Sequence, residues 1–138
     1  MKRILLSVIA LLWISVTAAA QAQATYNNYR SGNRYDFNII SEQLAKTPEW
    51  TEDQDNPPLS PRAAIKIAKT QMQRLFVDAD KWTSRGLQIH QLGNRWIYLV
   101  EFTEPPPPGA LDYISSPFRI PVLMNGETVE PQVSAWRN

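Results

Sequence analysis

The chain contains no cysteine and only one histidine, His90. The first absence excludes a disulfide framework, a thiol nucleophile and a lipid attachment site. Together the two leave too few donors for an ordinary zinc set of three or four ligands. Glycine is scarce, at 5 residues, and forms neither a phosphate-cradling loop nor the G-x-S-x-G turn of a serine hydrolase. A Ser-His-Asp site would have to use His90, which the strand pattern below places on a sheet face, so a half-buried structural histidine is the simpler assignment. Neither sign of charge dominates, with 14 Lys and Arg against 13 Asp and Glu. No global field therefore favours nucleic acid or an anionic membrane. Asp53 and Asp55 have the spacing that opens a calcium loop, but Pro57 and Pro58 replace the next ligand and the turn, and Ala64 stands where the bidentate glutamate is required. No cofactor and no metal are expected.

What is present begins with an export signal. Lys2 and Arg3 precede an apolar run from Ile4 to Val16 of about 13 residues, short of the roughly 20 needed to span a bilayer. Small residues follow. Ala18, Ala19 and Ala20 offer one cleavage site, and Ala22, Gln23 and Ala24 a second, preferred here because polar sequence starts directly after it. Residues 1–24 thus read as a cleaved signal peptide, which leaves no stable membrane anchor and places the mature protein in the periplasm or the medium. About 114 residues then remain, enough for one domain.

Residues 25–58 read as a polar, aromatic N-terminal arm and linker. Tyr26, Tyr29, Tyr35 and Phe37 sit among Asn, Arg, Ser and Gly, so the arm is either loose or packs its rings on the domain or a partner. Ile39, Ile40 and Leu44 suggest one short helix capped by Asn38 or Ser41. The acidic stretch EWTEDQDNPP, Glu49 to Pro58, closes on two prolines that mark a boundary.

The domain proper occupies residues 59–138. Ser60 followed by Pro61 is a strong helix start, and Ala64, Ile65, Ala68, Met72, Leu75 and Phe76 recur at helical spacing, which predicts an amphipathic helix over 61–76. Its basic side, Arg62, Lys66, Lys69 and Arg74, is a solvated face or a dock for an acidic partner. From Trp82 onward the period becomes alternating. Leu87 to Leu92, Gly93-Asn94 and Arg95 to Phe102 read as a hairpin with a type II′ turn, with Leu92 opposite Arg95, Ile89 opposite Tyr98 and Leu87 opposite Val100. The other face then carries Gln88, His90, Ile97, Leu99 and Glu101, too apolar for water, so the arm, the long loop, a partner or a second copy has to cover it. Four prolines, Pro105, Pro106, Pro107 and Pro108, make Glu104 to Pro117 a stiff loop. Phe118 to Met124, Asn125-Gly126 and Glu127 to Val129 predict a second hairpin, and Pro121 and Pro131 mark one of its strands as an edge. The order helix, hairpin, hairpin predicts an α+β fold: one helix on a single antiparallel sheet of about four strands.

The pieces SPRAAIKIA (Ser60 to Ala68), RWIYLVEF (Arg95 to Phe102) and VLMNGETVEP (Val122 to Pro131) resemble the PepSY-like small exported domains, over about residues 60–133. The resemblance implies a binding or inhibitory module and no catalysis. The expected function is a non-catalytic exported module acting on a protein or peptide. Its candidate contact surface is Trp50, Ile97, Leu99 and Pro105 to Pro108. Two alternatives stand beside it: a small carboxylate-dependent hydrolase using Glu101, Glu104 or Asp112, and an envelope protein that self-associates through Ile97 and Leu99.

Overall fold

The computed structural model describes residues 21–110 and 115–137. Two strands come first, β1 (Ala22–Arg30) and β2 (Asn33–Ile40), followed by a short helix α1 (Ser41–Ala45) and the main helix α2 (Pro61–Leu75). Strands β3 (Thr83–Leu92), β4 (Arg95–Thr103), β5 (Phe118–Leu123) and β6 (Gln132–Ala135) complete the order. The strands form two antiparallel three-stranded sheets, β1-β2-β6 and β3-β4-β5. The fold is mixed α+β as expected, but the single four-stranded sheet divides into two. Among the described residues no helix is long and apolar enough to cross a membrane.

Helix α2 begins as its sequence requires. The Ser60 hydroxyl accepts from the Ala63 backbone N–H at 3.2 Å, and Pro61 fills the first helical position, where no amide is needed. Ala64, Ala68 and Met72 are buried along one stripe, and the small alanines let the helix approach the sheet closely. In β3 and β4 the register is the one expected, with Leu92 opposite Arg95, Ile89 opposite Tyr98 and Leu87 opposite Val100. Gly93 takes a φ of 63° while Asn94 stays at negative φ, the pattern of a type II′ turn. Strand β5 lies on the other side of β4, and its Pro121, opposite Leu99, turns its missing donor to the outer edge.

Alternation along β4 and β5 sends Tyr98, Val100, Phe102, Ile120 and Val122 to the face covered by α2. Ile97, Leu99 and Leu123 go to the opposite face and are as fully buried as the first set. The segment read as a loose arm supplies the cover. Tyr26, Phe37 and Ile39 stand on one side of the β1–β2 ribbon and join the same hydrophobic core as Ile97 and Leu99. The outer side of the ribbon is polar, with Thr25 bonded to Asn38 and Arg34 paired with Asp36. Ser31 and Gly32 both have positive φ, 49° and 75°, which makes the tight type I′ turn that matches strand twist. Ile39 and Ile40, expected in a helix, close β2. Helix α1 starts one residue later, where the Gln43 side chain accepts from the Ile40 backbone N–H at 3.1 Å.

The second expected hairpin forms only its turn. Asn125 and Gly126 reverse the chain, and Leu123 N–H donates to the Glu127 carbonyl at 2.9 Å, but pairing stops after the single bridge of Val122 with Thr128. Pro131 lacks the donor to continue a ladder, and the chain crosses to the other sheet, where β6 pairs with β2 from Asn33↔Ala135 to Asp36↔Gln132. The rest of the β5 edge is met by one side chain. Asn28, buried in β1, donates from its amide to the Arg119 carbonyl at 3.0 Å and accepts from the Arg119 N–H at 2.7 Å. One amide thus satisfies both backbone groups of an edge residue, as a neighbouring strand would.

Asn28→Ala leaves a donor and an acceptor of Arg119 without partners in a buried place. The expected loss is about 2 kcal/mol of unfolding free energy in urea titration. Asn28→Asp is expected to restore little of it, because a carboxylate repels the Arg119 carbonyl.

Candidate functional site

The sequence candidates separate into three groups. Ile97 and Leu99 are 0% and 1% exposed. Their face is occupied by the β1–β2 ribbon, so neither forms a free contact surface, and self-association through them is overturned. Pro105 to Pro108 are exposed, and the loop turns at Pro108 and Gly109, where the Ala110 N–H donates to the Pro107 carbonyl at 3.1 Å and Gly109 has a φ of 82°. Trp50 is half-buried and carries the most developed arrangement.

The loop around Trp50 is tied down from several sides. Thr47 is buried, its hydroxyl donating to the Leu44 carbonyl at 2.7 Å, and its own carbonyl accepts from Arg95 Nη1. Arg95 also pairs with Glu49 at 3.4 Å, and Asn94 in the β3–β4 turn donates to the same carboxylate at 3.3 Å. Beyond the loop, the Tyr98 hydroxyl donates to the Leu59 carbonyl at 2.7 Å. Between these anchors the chain folds on itself. Trp50 Nε1 donates to the Gln54 carbonyl at 2.9 Å, Gln54 N–H to the Thr51 carbonyl at 3.0 Å, and Thr51 N–H to the Gln54 side chain at 3.1 Å. The Thr51 hydroxyl donates to Asp53 and holds its carboxyl below the usual aspartate range.

The Trp50 ring meets Trp96 of β4 edge to face, with centroids 5.4 Å apart. Beside them Ile89 of β3 is 40% exposed, a large apolar side chain left open where its neighbours are covered. Trp50, Trp96 and Ile89 form the floor and wall of a recess of about 330 Å³ whose rim is Thr51, Glu52 and Gln54. An apolar base with a few polar groups at the edge is the usual build of a site for one anchoring side chain. A larger depression, about 730 Å³, runs along the basic side of α2, and the described residues that line it are Ser60 and residues of α2. Among the described residues no second element converges on it, whereas β3, β4 and the loop before α2 meet at the Trp50 recess, which is the better-formed candidate.

The carboxylates considered for hydrolysis are otherwise engaged. Glu101 accepts from Arg119 Nε and from the Gln88 amide, each at 2.9 Å. Because that carboxylate can only accept, Gln88 must turn its carbonyl oxygen toward His90, whose Nε2 lies 3.1 Å away. His90 Nε2 therefore carries a proton, and in the neutral imidazole Nδ1 accepts from the Tyr26 hydroxyl at 3.3 Å. Burial raises the Tyr26 pKa, which keeps that hydroxyl a donor. This polar row ties β1 to β3 and gives His90 a structural role. Asp112 lies outside the described residues. Among those described, no group of three His, Asp or Glu could hold a metal ion.

Glu104 belongs to a second cluster, at the root of the proline loop. Arg30 of β1 donates from Nε to Glu104 at 2.9 Å and from Nη2 to Asp78 at 2.7 Å, with its side chain only 16% exposed. Its guanidinium lies 4.2 Å from the Phe76 ring centroid and 4.8 Å from that of Trp82, and those rings stack nearly parallel. One cation thus holds the start of the loop, the end of α2 and the approach to β3.

The chain matches no known protein family, no curated protein and no solved structure. The sequence singles out Trp50 and, through the hairpin register, sets Ile89 opposite Tyr98, but it does not bring the two together. Only the register placed Ile89 next to Trp96, and no local signal brings residue 50 to them.

Hydrogen bonds from Arg30 hold the Asp78 carboxyl below its ordinary value of 3.8, against a smaller opposing effect of burial. A depressed folded-state pKa gives stability that is present above 3.8 and is lost as pH falls through the lower, folded value. Unfolding free energy is therefore expected to drop below about pH 4. Arg30→Met should cost about 2 kcal/mol at neutral pH and flatten the Asp78 part of that acid slope, read by urea titration at several pH values.

Proposed function

We propose that the protein is a non-catalytic binding module, exported to the periplasm or medium, that captures a peptide or an extended segment of a protein. The observation that carries this reading is the recess of Trp50, Trp96 and Ile89, an open apolar site walled by β3, β4 and the loop before α2. Aromatic rings on a rigid base bury much area for little entropy, and recesses of this kind commonly anchor binding. The rim adds polarity of one sign. Glu52 lines the recess, and Glu49, Asp53 and Asp55 stand within the same acidic segment. The segment so recognised carries an aromatic or branched aliphatic anchor flanked by Lys or Arg, since opposite charge around an apolar anchor aids encounter and register. The PepSY-like features of α2, β4 and the Asn125-Gly126 turn agree with a binding or inhibitory role. The hydrolase alternative is not favoured, because Glu101 and Glu104 are spent on arginines.

Selection of a random peptide display library on the immobilised protein tests this. Enriched peptides are expected to share one large apolar residue next to basic ones, and Trp50→Ala should weaken their binding at least tenfold, with replacement of Pro105 to Pro108 by serine leaving it unchanged. No enrichment over an unrelated bait, or equal binding by Trp50→Ala, would sink the proposal. Circular dichroism confirms that each variant is folded.

A further inference from the structure

Export, as proposed above, requires that the first residues of the chain be cut away at one place. Three small-x-small triplets compete for the cut, Ala18-Ala19-Ala20, Ala20-Gln21-Ala22 and Ala22-Gln23-Ala24, and residue type alone does not rank them. The folded domain distinguishes them. Strand β1 starts at Ala22. Ala22 stands opposite Ile40 and Ala24 opposite Ile39, with a bulge between them at Gln23. The Gln23 amide donates to the Ser41 hydroxyl at 2.5 Å, and so ties the start of β1 to the start of α1. Gln23 and Ser41 also wall a depression with Leu44, Leu92 and Arg95, where α1 meets the β3–β4 turn.

A cut after Ala24 would delete all of this. It would remove the bulge and the ladder partners of Ile39 and Ile40, and it would place a new ammonium on Thr25, inside the ladder opposite Asn38. The next residue, Tyr26, makes the hydroxyl contact to His90, so the loss would reach the polar row between the sheets. A cut after Ala22 would still take the ladder partner of Ile40 and put the ammonium on Gln23 at the bulge, whereas a cut after Ala20 leaves Gln21, exposed and outside the strand, to carry it in water. We propose that signal peptidase cuts between Ala20 and Gln21 and that the mature protein begins at Gln21. The preference for Ala24 drawn from the polar sequence after it is thereby reversed: that polar sequence is the outer face of a strand that starts earlier.

The full chain, expressed in a bacterium with a C-terminal tag, is recovered from the periplasmic fraction and the medium, and its N-terminal peptide is identified by mass spectrometry. The expected start is Gln21. A start lighter by one ammonia supports the same site, because the free amine of an N-terminal glutamine can attack its own side-chain amide carbon and expel ammonia. A start at Thr25, or at any other residue beyond Gln21, overturns the proposal while leaving export intact. An unprocessed chain beginning at Met1 and found only in the cytoplasm overturns the export reading and the proposal with it. As a second arm, Ala20→Arg is expected to leave the precursor uncut, and Ala24→Arg to leave the cut unchanged; the reverse pattern overturns the proposal.

Discussion

The structure depends on one constraint: the central sheet is apolar on both faces. Four consecutive residues of β4, Ile97 to Val100, are buried, and so are Ile120 to Val122 with Leu123 in β5. An antiparallel sheet with one wet face would alternate, whereas a sheet covered on both sides reads as a continuous apolar run. Each of Ile97, Leu99 and Leu123 is worth about 2 kcal/mol when taken from water. A helix can cover only one face, so a second layer is obligatory, and the β1–β2 ribbon is the part of the chain that provides it. The helix and the hairpin of β3 and β4 alone would therefore be an incomplete domain. Residues before the helix belong to the fold as much as those after it.

The seams between layers are closed by polar side chains that reach far along the chain. Asn28 joins β1 to the β5 edge, Arg30 joins β1 to Asp78 and Glu104, and Arg95 joins the β3–β4 turn to Thr47 and Glu49. Arginine suits such positions, since its planar fork serves several acceptors while its flat face rests on rings, here those of Phe76 and Trp82. The same rings continue the apolar core around the sheet edge. Phe118 contacts Phe76 and Trp82 on one side and Tyr35 and Phe37 of β2 on the other. With no cysteine to staple it, the domain relies on these cross-ties and on packing.

What was legible in the sequence was local. The capped helix follows from Ser60, Pro61 and the spacing of alanines, and the register of β3 against β4 follows from a two-residue turn, because a tight turn fixes every pair beyond it. The apolar second face was also legible, and with it the need for a cover. The identity of the cover was not. Asn27, Asn28 and Arg30 made the arm look like a leader, although Ser31-Gly32 between alternating aromatics is a hairpin signal that could have been used. Asn28 and Arg30 point inward because their partners sit on β5, the proline loop and the segment after α2, information that no window of the sequence holds. The Asn125-Gly126 turn was read correctly and its strand wrongly for the same reason: a turn dipeptide sets where a chain reverses, whereas the edges available nearby decide what it pairs with.

The Trp50 recess shows how far such non-local pairing carries into the candidate site. The acidic stretch before α2 reads as a linker, and by hydrogen bonding it remains one, since its bonds are the short ones of a turn from Thr51 to Gln54. Its position is imposed from outside, by Arg95 and Asn94 at one end and by Tyr98 at the other. Trp50 is held between those anchors and rests on Trp96, so the ring is already ordered, and the proposed binding role would not have to supply that order. Glu52 stays exposed at the edge of the recess, and Asp53 and Asp55 follow it at the surface. One segment thus closes the end of the sheet and forms the polar rim of the site.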